Sequence, residues 1–423
     1  MNVKIVSSDD TIRPMPFEFM QSFYRQAHNP IIRAYFDFDG HLNVPMLKRA
    51  AKKTAECIPL LDCAYDDVRH TWVRQESDED DFVDVISCNG SAMVEKYMLQ
   101  PLCQDAGPRI CLRILRYKEH DSLCVVFDHM VADGAGFKVC FSRIASTYSA
   151  LLNQTHTVLY DGYTQRRDFG QVTESLSNLD KLNIMRSSNV HPKPDPAMCL
   201  PLSGQGDPHL MRVQISSEDF IHVHASIKRR GVTINDALLA SYAYALHKAT
   251  GCFNIVLPCP VDLRMFAPKA PCLRVANLTG SYVCTVSITD DQSMDDVLHA
   301  VSCAMRKEKS STACLKGPIL LHAAAHIVPV SVLSRMFFAY AGIPVISYTN
   351  VGIVNSDMTS FAGVHCKDAY IATAVKHPPS FQVSVSTFQN IVTLSSCLYA
   401  SKEDYVYVMS FLESIKRYFI GLC

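Results

Sequence analysis

The chain has 423 residues, 48% of them hydrophobic and 19% charged, enough apolar side chains to bury a large core and not the make-up of a disordered chain. Forty Lys plus Arg against 41 Asp plus Glu leave a net charge of −1, which argues against a general nucleic-acid binder. The 17 cysteines are odd in number and include no CxxC pair, so they read as buried thiols of a reducing compartment, not as a disulfide or zinc framework.

The opening MNVKIVSSDD places an acidic pair where a signal peptide would need an apolar run, so a cytoplasmic location is expected. Residues 31–38 are β-branched and aromatic and end at Asp39-Gly40, which predicts a strand and a turn. Asn43 caps a predicted helix whose apolar positions Met46, Leu47, Ala50, Ala51 and Ala55 recur at helical spacing. Residues 60–66 and 70–75 read as paired strands, and the acidic 76–81 as a solvated loop. A short helix over 91–98 precedes two apolar runs, 110–117 and 122–129, whose polar connection predicts a hairpin inside a sheet. Helical periodicity returns over 137–152.

From 160 to 206 the text turns polar and Pro-rich, with Pro192, Pro194, Pro196 and Pro201 close together. A linker over 161–206 therefore divides an N-terminal lobe, 1–160, from a C-terminal lobe, 207–423. Beyond it come a strand over 209–216, a helix over 216–231 stopped by Gly231, and a second helix capped by Asn235 and ended by Gly251. A strand running to Arg264, another over 281–289 and an amphipathic helix over 293–308 follow, the helix with Asp295 and Asp296 in its first turn. The apolar stretch 319–348 is broken by His322, His326, Pro329, Arg335 and Pro344, so it predicts a core helix and a strand in place of a transmembrane segment. Strands over 344–351, 381–388 and 391–399 and a final helix complete an α+β chain with mixed sheets, not a doubly wound parallel sheet.

Chemistry concentrates at 128–136, DHMVADGAG. His129 leaves the end of a buried strand, where backbone hydrogen bonds can hold its rotamer and tautomer while the ring projects into a cleft; the natural role there is general base. Gly134 and Gly136 would let the chain turn sharply and let a ligand approach the backbone, and Asp133 suits bracing the loop through an arginine. His222 and His224 stand two apart, which a helix points to different faces. His322 and His326 share a face but have no third ligand at a telling spacing, so no metal is assigned.

DHMVADG resembles the HHxxxDG motif of nonribosomal peptide synthetase condensation domains and the HxxxDG of the wider CoA-dependent acyltransferase superfamily. Further segments resemble that superfamily in the same order along nearly the whole chain. They are ECIPLLDCAYD at a helix end and strand, GVTINDALLASYAYALHKATG as the helix after the linker, LPCPVDLR as the P-x-D-x-R segment, NLTGSY (277–282) as a strand start and ISYTNVG (346–352) as the crossover. The resemblance implies two chloramphenicol-acetyltransferase-like lobes with a cleft or tunnel between them. It also implies acyl transfer from a thioester to a hydroxyl or amine in lipid or secondary metabolism, with acyl-CoA or acyl-phosphopantetheine as co-substrate and no bound cofactor.

The resemblance makes His129, Asp133 and Gly134 the catalytic motif, with His129 as base, and gives Asp128 and Arg264 supporting roles, Arg264 by pairing with Asp133. It offers Ser347, Thr349 and Asn350 as oxyanion or substrate contacts. The implied partners are a small-molecule donor and acceptor, the donor free or on a carrier protein, with no nucleic acid and a monomeric chain. One departure is informative: Asp128 stands where condensation domains carry the first histidine of their pair, the second being the catalytic one. That points away from the peptide-forming subgroup and keeps two alternatives open, a catalytically silent binding or scaffold protein and a thioester hydrolase.

Overall fold

The structure is a computed structural model that describes residues 10–25, 28–90, 93–103, 106–155, 165–187, 192, 194–267, 273–340 and 344–423. The first of its two main sheets has five strands in the order Cys366–Ala372, Ile31–Phe38, Asp121–Asp128, Ile110–Arg116 and Val83–Ser87. All neighbours are antiparallel except the last pair. Every residue of Asp121–Asp128 is buried, and its apolar centre, Leu123–Phe127, is what a central strand requires. In the adjacent Ile31–Phe38, alternate residues Ile32, Ala34, Phe36 and Phe38 enter the core beneath helices Val44–Cys57 and Gly134–Leu152. There Phe36 stacks on Phe141 with ring centroids 4.6 Å apart. Arg33 points to the opposite face, its guanidinium satisfied by the carbonyls of Ile31, Met98 and Thr373.

The second sheet runs Ile346–Ile353, Phe381–Phe388, Ile391–Ala400 and Asp207–Ile215, the first pair parallel and the others antiparallel. Helices Ser217–Arg229, Ile234–Thr250 and Lys402–Ile420 cover it. A separate antiparallel ribbon, Asn254–Asp262 with Thr279–Ser287, carries helix Met294–Lys309. The strand Cys366–Ala372 comes from the C-terminal half of the sequence yet closes the edge of the N-terminal sheet, so the two sheets share chain as well as contacts.

Several boundaries differ from the sequence reading, each for a local reason. Thr233, not Asn235, caps Ile234–Thr250, its side chain accepting from the Asp236 amide. Asn235 lies inside the first turn, where its Oδ1 accepts from Tyr348 and Asn350. The helix read over 137–152 begins at Gly134, because Asp133 caps it. The stretch 165–187 holds two short helices, Gly170–Thr173 and Asn178–Arg186, with Phe169, Val172 and Ile184 in the core that lines the second sheet, while 161–164, 188–191 and 193 lie outside the described residues.

The stretch 319–348 departs most. It forms helices Lys316–Ala324 and Val330–Tyr340, whose described side chains are all at least partly exposed except Leu333. They are not core helices but flank helix Pro16–Tyr24, where Phe23 and Tyr24 meet the ring of Phe337. Positions 341–343 lie outside the described residues. Among the described residues, no helix is long and apolar enough to cross a membrane.

Candidate active site

Asp128 ends the buried central strand and fixes the turn that follows. Its Oδ1 accepts from the Met130 amide at 2.9 Å, and its Oδ2 lies 3.4 Å from Arg25 and 3.5 Å from Arg109. The main chain is tied on both sides, from the Asp128 amide to the Arg109 carbonyl and from the His129 amide to the Pro30 carbonyl, each at 2.8 Å. A carboxylate between two guanidiniums thus anchors the turn on which His129 stands.

Asn277, just ahead of the ribbon strand Thr279–Ser287, reaches this turn from the C-terminal half. Its Nδ2 donates to the carbonyls of both His129 and Met130 at 2.9 Å, which fixes the orientation of the amide. Its Oδ1 then faces His129 Nδ1 at 3.2 Å and can only accept, so the ring proton belongs on Nδ1 and, among the described residues, the Nε2 lone pair is left free. The His129 residue keeps partial solvent exposure. Burial of the ring pushes its pKa below the ordinary imidazole value, a shift only partly opposed by Asp133, Asn277 and Asp128. His129 is accordingly a neutral imidazole with one free basic nitrogen. The sequence reading passed over Asn277, although NLTGSY marks the segment, because its partners lie about 150 positions away in the chain.

Asp133 is wholly occupied with structure. Oδ1 accepts from the Gly136 amide at 2.8 Å as the helix cap, and Oδ2 takes Arg264 Nη1 at 3.0 Å, the Leu278 amide at 2.7 Å and the Thr279 hydroxyl at 3.0 Å. Burial pushes its pKa up, but Arg264 and the two amides outweigh it and hold the carboxyl below the usual range. Arg264 spends its other donors on the carbonyls of Arg274 and Ala276 and on Asp262.

Neither glycine of the motif adopts left-handed backbone, so the sharp-turn role expected of them fails. Gly136 is needed for space instead: a Cβ there would stand 2.7 Å from the Ala132 Cβ and 3.0 Å from the Ala276 carbonyl oxygen. At Gly134, the first residue of the helix, a Cβ would find ordinary contact with Val351 at 3.4 Å.

The crossover strand meets this helix at its end, where Lys138 Nζ donates to the Val351 carbonyl at 2.8 Å. Asn350 is engaged there, Nδ2 to Asn235 at 3.0 Å and Oδ1 from the Gly352 amide at 2.9 Å. Ser347 Oγ lies 3.4 Å from the Phe381 carbonyl, and the Thr349 hydroxyl has no hydrogen-bond partner among the described residues. Two surface pockets of about 300 and 380 Å³ lie elsewhere, one beside Arg230 and His299, the other beside Gln75 and Cys103.

No protein-family model matches the chain. A stretch of 155 residues, 34% of the chain, is 28% identical to a mycosubtilin synthase of Bacillus subtilis, of whose length it covers 6%. Solved structures match along almost the whole chain. The first condensation domain of the CDA synthetase aligns at a TM-score of 0.69 and 14% identity, covering 98% of this chain and 97% of that one. The trichothecene 15-O-acetyltransferase of Fusarium sporotrichioides aligns at 0.68 and 13%, covering 98% and 96%. Polyketide synthase associated protein 5 of Mycobacterium tuberculosis aligns at 0.65 and 15%, covering 95% and 96%. The chain therefore has the α+β fold of these three proteins, a condensation domain and an acetyltransferase among them.

Proposed function

Starting from that fold, we propose that the chain is an acyltransferase that moves an acyl group from a thioester, acyl-CoA or acyl-phosphopantetheine, to a hydroxyl or amine. The observation that carries this reading is the fixed tautomer of His129, whose Nδ1 is committed to Asn277 while Nε2 is free. Nε2 takes the proton of the acceptor as its oxygen or nitrogen attacks the thioester carbonyl. The tetrahedral intermediate then collapses, the carbon–sulfur bond breaks, and the same proton passes to the departing thiolate. Proton transfer of this kind contributes about 10²–10⁴ in rate. Ser347, Thr349 and Asn350 are the proposed oxyanion or substrate contacts; Asn350 would have to give up Asn235 to serve, and Thr349 has a hydroxyl to spare among the described residues.

In this mechanism Asp133, Gly134 and Arg264 position the base and do not touch substrate. Arg264 and Asp133 lock the start of the motif helix to the ribbon that brings Asn277. A silent binding protein is the second reading, and the replacement of the first motif histidine by Asp128 is what favours it.

The test is thiol release from acyl-CoAs of graded length with alcohol and amine acceptors. Acceptor-dependent release is expected, with His129→Ala slower by at least about a hundredfold while the variant stays folded. Near-normal turnover by a folded His129→Ala variant would overturn the mechanism. Release independent of any acceptor would make the protein a hydrolase, and no release across the panel would leave the binding reading standing.

A further inference from the structure

Lys376 is a charged residue to which the mechanism gives no role. Its main chain is pinned to the strand Ile391–Ala400, the amide donating to the Cys397 carbonyl at 2.8 Å and the carbonyl accepting from the Tyr399 amide at 3.0 Å. Ala374 and Val375, which lead into it, are buried. Its Nζ lies 3.4 and 3.5 Å from the two ring nitrogens of His28, and among the described residues no carboxylate pairs with it. Two guanidiniums in or near the core are treated differently: buried Arg33 is ringed by carbonyls and half-buried Arg264 bridges two aspartates. Lys376 and His28 both keep partial solvent exposure, so the ammonium is incompletely desolvated and still lacks a counter-charge, and an anion arriving from solvent can offset it.

The pair adjoins the proposed base. His28 sits two residues before Pro30, whose carbonyl holds the His129 amide. Burial, then the charges of Lys376, His129 and His377, push the His28 imidazole down to about 2, and burial brings the Lys376 ammonium down to about 8. At neutral pH, then, the pair is one ammonium and one neutral imidazole. A neutral ring has a single acceptor nitrogen, so the ammonium can use only one of its two contacts and keeps donors over. The other rings around the pair, Tyr24 at 5.5 Å from His28 and His377 stacked on Tyr399, bring no negative charge.

We propose that Lys376 and His28 form an anion subsite beside His129 that receives a carboxylate of the substrate, either on the acceptor or at the far end of the acyl chain. One positive charge and a few donors suit a monoanion; a phosphate dianion would call for a guanidinium or a second ammonium. The inference rests on the acyl-transfer reading for its place in a reaction, but the site itself is tested by binding.

The kinetic arms compare hydroxy acids of two to six carbons with their methyl esters as acceptors, and succinyl-CoA with butyryl-CoA as donors. At least a tenfold preference in kcat/KM for the carboxylate form is expected in one arm, which identifies the source of the anion. Lys376→Met should abolish that preference while keeping turnover of the neutral partner, and Lys376→Arg should restore much of it. The equilibrium arm measures, by calorimetry on His129→Ala, the binding of the same hydroxy acids, esters and acyl-CoAs. Carboxylate-dependent binding that Lys376→Met removes supports the subsite even if no transfer is found, which separates its fate from that of the acyltransferase reading. Should Lys376→Met fail to fold, His28→Leu takes its place, with a weaker preference expected. Absence of any carboxylate preference in rate or binding, or equal losses for charged and neutral substrates, overturns the proposal.

Discussion

Asn277 decides which nitrogen of His129 is available, and it does so with three hydrogen bonds from one buried amide. Asn277→Leu removes all three and strands two carbonyls and the Nδ1 proton, each unsatisfied group costing about 1–3 kcal/mol. The expected result is a lower denaturant midpoint, together with a fall in kcat larger than any rise in KM, since the free ring can then present either nitrogen. The depressed pKa of His129 carries its own signature. In the proposed mechanism His129 works when neutral, and burial keeps it neutral below the usual imidazole range, so the acid limb of kcat/KM should have its midpoint below about pH 6.5. A midpoint at or above that value would count against His129 as the base.

For Asp133 the sign runs the other way. Its carboxyl is held below the usual range in the fold, so the ionised form contributes stability above the unfolded value near 3.9, and that contribution is lost as pH falls through the folded value. Asp133→Asn takes the buried charge partner from Arg264, which keeps only Asp262, and the loss should cost about 1–3 kcal/mol. The gap between wild type and variant should therefore be widest at neutral pH and narrow below about pH 4, as read from denaturant melts along a pH series. At this scale the sequence showed the motif residues His129 and Asp133, whose signal is local, but not Asn277 or Lys376, whose meaning depends on groups brought together only by folding.

Among the elements, those whose signals are local were the legible ones. The apolar run read over 122–129 and the capped helix after Asn43 carry their own pattern, and the structure places both within a residue or two of the reading. Three failures have identifiable causes. Thr233 and Asn235 are both good caps, and what separates them is that Tyr348 and Asn350 claim the Asn235 side chain. Cys366–Ala372 was missed because CKDAYIA lacks a strict alternation and its partner strand lies more than 300 positions earlier. The helices Lys316–Ala324 and Val330–Tyr340 read as core because composition alone does not distinguish a buried apolar helix from one lying against another at the surface. The motif helix offers the element-scale test. Gly136→Ala drives a methyl into Ala132 and the Ala276 carbonyl, and overpacking of this kind costs about 1–3 kcal/mol. The same change at Gly134, where a Cβ has room, should be close to neutral in melting temperature.

The whole molecule is held together by exchange between the halves of its sequence. Strand Ile31–Phe38 is interior only because Cys366–Ala372 lies along it, with Phe36 opposite Ala369 and Ala34 opposite Ile371. Asp133 and the His129 turn are likewise completed by Arg264, Asn277, Leu278 and Thr279. A fragment ending at residue 206 would lose that strand and every one of those partners, exposing a long apolar sheet edge and leaving a buried carboxylate without its cation. It should therefore elute as aggregate or as an expanded species without near-ultraviolet circular dichroism, although it contains the entire HxxxDG motif. Co-expression with residues 207–423 should recover a soluble complex, because the missing strand and ligands then return in trans. A monodisperse 1–206 fragment that unfolds cooperatively would show that the shared strand and the Asp133 cluster are dispensable to the N-terminal sheet, and would overturn the claim that the His129 turn is assembled by both halves.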